Sequence, residues 1–281
     1  MVNHHQLSER HACALVGLSR DSYRHPFVVS PLNQELKEKI VHTAHERRRW
    51  GYRMIHDALR PQYPGINHKR IYRLYCQEGL AIRKRKKTKR VGVRLPLVAA
   101  SAINQTWSMD FVSDAIARPG TIARRIKCLT VADDFSHECV DITADFGIGG
   151  EYVTRLLDRA AQFRGYPQAI RTDNGPEFIS RAFMTWTQKH GIQHLLIQPG
   201  RPTQNAYIES FNGTFRDECL DENWFESLDQ ARQAISQWRQ DYNEIRPHSS
   251  VGGIQPAQFA SLNRQLTGDS ARTPSNHDTI K

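Results

Sequence analysis

The chain has 281 residues, 39% hydrophobic and 24% charged, a balance that excludes collagen-like, low-complexity and membrane classes. Its longest mostly apolar stretch, Leu95 to Ile103, contains Pro96 and falls well short of the roughly 18 residues that span a bilayer. The net charge of +10 is uneven: residues 1–100 hold 21 Lys+Arg against 7 Asp+Glu, and the remaining 181 hold 18 against 22. A basic region followed by a mildly acidic one points to a polyanion, nucleic acid first, held by one part while carboxylates serve another. Five cysteines, with no Cys-x-x-Cys pair, indicate neither a disulfide framework nor a thiolate zinc site. No signal-peptide core follows the N-terminus, so a reduced, intracellular protein is expected.

Ser8 to Tyr23 reads as two short helices about a Gly17 turn, N-capped by Ser8 and Ser19, with Ala12, Leu15 and Leu18 as apolar contacts. After Pro26 and Pro31, three more helices follow. Leu36, Ile40 and Ala44 mark the first and Tyr52, Ile55 and Leu59 the second; Asn67 caps the third, which carries Ile71 and Leu74 and ends at Gly79. Lys69, Arg70 and Arg73 lie on the polar side of that third helix, either a face for a DNA groove and its phosphates or a solvated basic face. Residues Arg83 to Arg90 are basic at seven of eight positions. Such a run repels itself and reads as a linker or arm binding phosphates in a salt-sensitive way, with a nuclear-localisation signal as the rival reading.

Beyond about residue 100 the pattern turns to strands. Trp107 to Val112, Ile126 to Val131 and Cys139 to Ala144 form three β-rich runs resembling an antiparallel meander. A helix over Glu151 to Phe163 follows, then a strand at Ala169 to Arg171, a helix from Pro176 through Lys189, a strand at Ile192 to Ile197 and a helix from Asn205 to Leu220. Leu228, Ala231, Ile235, Trp238 and Tyr242 give a last helix an apolar stripe, assigned to packing within the domain rather than to a dimer seam. The expectation is a mixed α/β sheet with helices on both faces.

The chemical candidates are Asp110, Asp173 and Glu209. Asp173 and Glu209 have 35 residues between them, but random placement of the acidic residues yields roughly 0.6 such pairs. Asp141 and Glu177 share the spacing. Context separates the pairs. Asp173 stands where a strand meets an Asn174-Gly175 turn, the sheet edge at which mixed α/β folds open a crevice. Asp141 lies within a strand beside Thr143, and Glu177 falls in the first turn of the helix expected after Pro176, where a carboxylate meets the helix dipole. Asp110 is mid-strand, opposite the face of Trp107, Met109 and Phe111, a costly place for a carboxylate unless it is paired or metal-bound. Glu209 sits on the flank of a helix buried through Ile208, Phe211 and Phe215, with Arg216 two turns along nearly the same flank, where it could hold a phosphate.

Four motifs then carry a family resemblance: Trp107-Ser-Met-Asp-Phe111, Arg171-Thr-Asp-Asn-Gly-Pro-Glu-Phe178, the run from Gly200 through Glu209 and Arg216 to Leu220, and Tyr242-Asn-Glu-Ile-Arg-Pro-His-Ser-Ser250. In this order they resemble the integrase-core signatures of bacterial insertion-sequence transposases, most closely the second-reading-frame (OrfB) product of the IS-three family. The resemblance implies an RNase H-like mixed sheet, the integrase catalytic core, preceded by a small all-α helix-turn-helix-like domain. The boundaries expected are a helical segment at 1–30, the DNA-binding domain at 31–82, a basic linker at 83–100, the catalytic core at 101–265 and a tail at 266–281.

The resemblance also implies that Asp110, Asp173 and Glu209 form the metal-binding triad, Asp110 bridging two ions. Three carboxylates without Cys or His are hard oxygen ligands suited to Mg²⁺ or Mn²⁺, and two ions about 3.5–4 Å apart suit in-line attack on a phosphodiester by water or a DNA 3′-hydroxyl. Candidate DNA contacts are Arg216, Asn174, Asn205, Lys69, Arg70, Arg73, Arg83, Lys84, Arg85, Lys86 and Lys87. The expected partners are double-stranded DNA at the element ends and target, further copies of the chain on DNA, and an upstream-frame (OrfA) product or fusion, in the bacterial cytoplasm with no membrane. The rival expectation is a non-catalytic DNA-binding regulator or partner subunit of a longer frameshifted transposase.

Overall fold

Helices α1 (Glu9–Leu15), α2 (Arg20–Arg24), α3 (Pro31–Glu46), α4 (Tyr52–Leu59) and α5 (His68–Gln77) come first. Three of them begin where a side-chain oxygen takes an otherwise unpaired N–H: Ser8 Oγ accepts from His11 N at 3.3 Å, Ser19 Oγ from Ser22 N at 2.9 Å, and Asn67 Oδ1 from Lys69 N at 2.8 Å. The computed structural model describes residues 5–25, 30–82, 99–117, 119–197 and 205–266. Its chain divides into two units, Met1–Ile55 with Ile66–Ile82, and His56–Gly65 with Arg83–Lys281. The basic arm with Arg83, Lys84, Arg85, Lys86 and Lys87, the stretch 198–204 before Glu209 and the tail from 267 lie outside the described residues.

In the first unit, α3 and α5 pack through Leu36, Ile40, Ile71 and Leu74. Gly79, at φ +67°, supplies the left-handed turn just beyond α5. The α1–α2 pair differs from expectation: Leu15 and Leu18 are 60% and 44% exposed, and only Ala12 and Cys13 are buried there. Helices of 7 and 5 residues offer too little inward face, and an exposed Arg24–Glu9 fork at 2.8 Å joins them instead.

The second unit is built on a five-stranded sheet in the order β3-β2-β1-β4-β5, comprising β1 (Thr106–Ile116), β2 (Arg124–Asp133), β3 (Cys139–Asp145), β4 (Ala169–Thr172) and β5 (Gln193–Leu196). The first three strands form the antiparallel meander; β4 and β5 run parallel to β1. Strand alternation sends successive side chains to opposite faces. Trp107, Met109, Leu129 and Val131 meet helices α6 (Gly150–Arg164) and α7 (Arg181–Lys189) on one face. On the other, Val112, Ile126 and Cys128 meet α8 (Ala206–Phe215), the π-helical turn Arg216–Leu220 and α9 (Leu228–Glu244). The sheet is therefore mixed, with helices on both faces, as its pattern requires.

β3 is an edge strand, and α9 covers its open backbone. The Asn243 side chain accepts from Cys139 N at 2.8 Å and donates to Cys139 O at 2.9 Å, while Arg232 donates to Ala144 O at 3.0 Å. The final motif thus has a structural use, since Arg246 also forks onto Glu218 at 2.8–3.1 Å. A closing helix, α10 (Pro256–Leu266), had no counterpart in the sequence pattern.

One helix start needs correction. Pro176 does not open a helix; residues 173–180 form turns, and Ser180 caps α7 by accepting from Phe183 N at 3.3 Å. A hydroxyl cap outweighs the proline preference because it satisfies a backbone donor outright. Glu177 accordingly does not sit on a helix dipole but pairs with Lys127 of β2.

Candidate active site

β1 and β4 run side by side in register, their last pair being Ser108 with Arg171. Asp110 in β1 and Asp173, just past the end of β4, each lie two residues beyond that pair, so sheet geometry draws two carboxylates from distant sequence to one level. Glu209 comes from the other side, in the first turn of α8, which lies against β1 and β2 through Ile208, Phe211 and Phe215. Asp110 is half-buried; Asp173 and Glu209 are exposed.

Asp110 senses the other two carboxylates. Burial pushes Asp110 above the ordinary carboxylate range, and the negative charges of Asp173 and Glu209 push it further, against the lowering effect of hydrogen bonds from Phe111 N and Asn212. Phe111 N donates to Asp110 Oδ1 at 2.7 Å, and Asn212 Nδ2 to Oδ2 at 2.9 Å. The Thr130 hydroxyl, on the β2 residue paired with Asp110, lies 2.8 Å from Asn212 Oδ1 and 3.0 Å from Asp110 O. Asp173 Oδ1 accepts from Gly175 N at 2.9 Å, which shapes the turn behind it.

Among the described residues, what the three lack is a counter-charge. Asp141 bonds Arg159 at 2.9 Å, Glu138 bonds Arg164 at 2.6 Å, Asp145 bonds Arg232 at 2.8 Å, and Glu177 meets Lys127. Among the described residues, no basic side chain stands at ion-pair distance from Asp110, Asp173 or Glu209. An all-oxygen donor set with unbalanced negative charge fits a hard divalent cation. The ligating arrangement itself is not formed: among the described residues, no three His, Cys, Asp or Glu side chains are grouped closely enough to hold a metal ion.

The predicted DNA contacts are dispersed. Arg216 is exposed at the start of the π-helical turn and donates to Ser113 O at 2.9 Å, anchoring the end of α8 to β1. Asn174 is exposed and donates to Ile197 O at 3.3 Å, whereas Asn205 is buried at 6% exposure. In the first unit, Lys69 and Arg73 are exposed on α5, but Arg70 reaches back to Asn33 Oδ1 of α3 at 2.7 Å. Sequence reasoning missed Asn212 and Thr130. Asn212 was within reach, because a polar residue three positions after Glu209 shares its helix face.

A five-stranded mixed sheet with helices on both faces, carrying Asp110 on its central strand and Asp173 just past the neighbouring one, is an integrase-type core. Models described as "Integrase core domain" match residues 100–202 and 190–256, and one described as "HTH-like domain" matches residues 31–88. The chain is 62% identical over 272 residues to an IS476 insertion-element protein of Xanthomonas euvesicatoria, covering 96% of this chain and 78% of that one. It is 54% identical over 259 residues to an IS407 insertion-element protein of Burkholderia multivorans, covering 92% of each. The transposase InsF for insertion sequence IS3A of Escherichia coli matches at 25% identity over 231 residues, 77% of this chain and 78% of that one. A chain of a simian T-cell lymphotropic virus intasome, in a complex with PP2A regulatory subunit B56 gamma, shares the fold at TM-score 0.50 and 15% identity, over 82% of this chain and 78% of that one. The chain belongs to the IS-three family of insertion-element transposases, in the integrase-core class.

Proposed function

We propose that this chain cleaves the ends of its insertion element and joins the resulting DNA 3′-hydroxyls to target phosphodiesters, with Asp110, Asp173 and Glu209 holding two Mg²⁺ or Mn²⁺ ions. The observation that carries this reading is that the negative charges of Asp173 and Glu209 both act on half-buried Asp110, while among the described residues no basic side chain stands at ion-pair distance from any of the three. Bound ions supply Lewis-acid activation of the attacking oxygen and charge stabilisation of the leaving one. Asp110, held by Asn212 and the Phe111 N–H, presents a fixed carboxylate from the middle of a central strand. Asp173, from the turn after β4, and Glu209, from the first turn of α8, would complete the ligand set with it.

Binding is divided from chemistry. Lys69 and Arg73 on α5, and the arm with Arg83, Lys84, Arg85, Lys86 and Lys87, take DNA phosphates, so affinity is salt-sensitive. Arg216 holds a phosphate beside the carboxylates. The chain works as a homo-oligomer pairing two DNA ends in the bacterial cytoplasm, with the upstream-frame OrfA product as partner or fusion.

The test is a nicking and strand-joining assay on duplexes carrying the element ends, with and without Mg²⁺, for this chain alone and fused to the upstream-frame product. Mg²⁺-dependent nicking that a DNA 3′-hydroxyl can resolve into joined strands is the expected result. Hydrolysis without joining reduces the chain to a nuclease; DNA binding without either activity in both forms makes it a non-catalytic partner. Neutralising the five arm residues should flatten the salt dependence of binding by about 0.9 in log–log slope for each phosphate that is no longer neutralised.

A further inference from the structure

Behind the Asp110–Asp173 pair lies a buried ionic cluster that the reaction as proposed does not use. Arg171, two residues before Asp173, is paired with Asp134, whose side chain is 2% exposed. The same Arg171 Nη1 lies 3.3 Å from Ser108 Oγ, and Ser108 is two residues before Asp110. Asp134 in turn is fixed to the start of β1, its N–H donating to Thr106 O at 3.0 Å. Three strands therefore meet at one cluster: β1 through Ser108, β4 through Arg171, and the end of β2 through Asp134.

This cluster is an expensive way to stabilise a sheet. A buried ion pair is generally no more stabilising than apolar residues of similar volume. Here it is not even fully satisfied, because Asp134 Oδ1 is buried without a hydrogen-bond partner among the described residues. What it does supply is registry. The β1–β4 ladder is only three pairs long, and Ser108 with Arg171 is its last pair before the two carboxylates. A short parallel ladder ending at that point leaves the spacing of Asp110 and Asp173 to whatever pins its final rung.

We infer that Arg171, clamped by Asp134 and Ser108, is a positioning residue that sets Asp173 against Asp110 for divalent-cation binding. It touches neither DNA nor the reacting atoms and acts through the backbone two residues on. The inference rests on the proposed function, since it concerns how the same carboxylates are held.

The experiment measures Mn²⁺ binding to the full chain without DNA, by the electron paramagnetic resonance of free Mn²⁺, alongside thermal unfolding. The double variant Arg171→Met with Asp134→Leu replaces the pair by apolar side chains of similar size. It should unfold cooperatively near the wild-type temperature yet bind Mn²⁺ about 10–100-fold more weakly, as supporting partners of metal ligands generally do when removed. Arg171→Lys, which keeps the charge but not the fork, should recover part of that loss. Ser108→Ala, a minimal change, serves if the double variant fails to fold and should weaken Mn²⁺ binding several-fold. Wild-type Mn²⁺ affinity in a folded double variant, or in Ser108→Ala should the double variant not fold, overturns the inference and leaves the cluster a structural feature only. Asp173→Asn is the control on the underlying reading: if it too binds Mn²⁺ like wild type, the carboxylate assignment itself fails, independently of Arg171.

Discussion

Two acid pairs in this chain have the same separation in sequence and opposite surroundings. Asp141 and Glu177 are neutralised inside the protein, the first by Arg159 at 2.9 Å with Arg239 at 3.9 Å, the second by Lys127, whose ammonium also lies over the Phe111 ring. Asp173 and Glu209 stand exposed, without a basic partner among the described residues, and with Asp110 they leave negative charge unbalanced. Spacing is blind to this difference. A carboxylate that already has its cation is part of the scaffold; one that lacks it is available to bind one.

The strongest way to break the contrast is to neutralise each member in turn. Asp110→Asn, Asp173→Asn or Glu209→Gln should each lower metal-dependent cleavage and joining by about 10³-fold or more, some 4 kcal/mol of transition-state stabilisation, with DNA binding nearly unchanged. Substantial residual activity in any one removes that residue from the site. Asn212→Ala should cost less, about 10–100-fold, because it frees the Asp110 carboxylate without deleting it. Single-turnover rates across a Mg²⁺ titration will separate weaker metal binding from slower chemistry.

The next prediction concerns stability and has opposite signs for Asp110 and for the neutralised pair Asp141 and Glu177. Asp110 has a raised folded-state pKa, so the folded protein holds its proton more tightly than the unfolded chain does. Stability is fully retained below the unfolded value and falls as pH rises through the raised one. At neutral pH, Asp110→Asn should therefore raise the melting temperature of the metal-free protein, and Mg²⁺ should raise that of the wild type more than that of the variant. A variant that melts below wild type at neutral pH would show that Asp110 is structural. Asp141→Asn and Glu177→Gln should instead destabilise by about 1–3 kcal/mol, read by urea unfolding, because each leaves a basic partner without its counter-charge. Their cleavage rates per folded molecule should stay within a few-fold of wild type.

Much of the sheet was legible because its residues obey a single period. Trp107 and Met109 against Asp110 and Val112 already divide β1 into two faces, and the structure places those faces against different helices. The α7 start was misread because Pro176 and Ser180 both signal a helix N-terminus, and only the hydrogen bond from Phe183 N shows which was used. Leu15 and Leu18, expected as apolar contacts, are exposed, because Leu15 ends a 7-residue helix that buries only Ala12 and Cys13 and Leu18 lies just past the turn that follows it. Asn212 went unnoticed for a different reason. Its amide is a local feature of α8, but its partners Asp110 and Thr130 are 102 and 82 residues away.

The amino-acid order by itself settled the local elements, the basic and acidic division of the chain and the motifs that place it in its family, because these depend on neighbours a few residues apart. Which acids have a cation among the described residues, and that Arg171, Asp134 and Ser108 meet behind the candidate site, were decided only by the tertiary fold. Electrostatic balance depends on distance in space, and strand pairing brings charges together from positions that no sequence period relates.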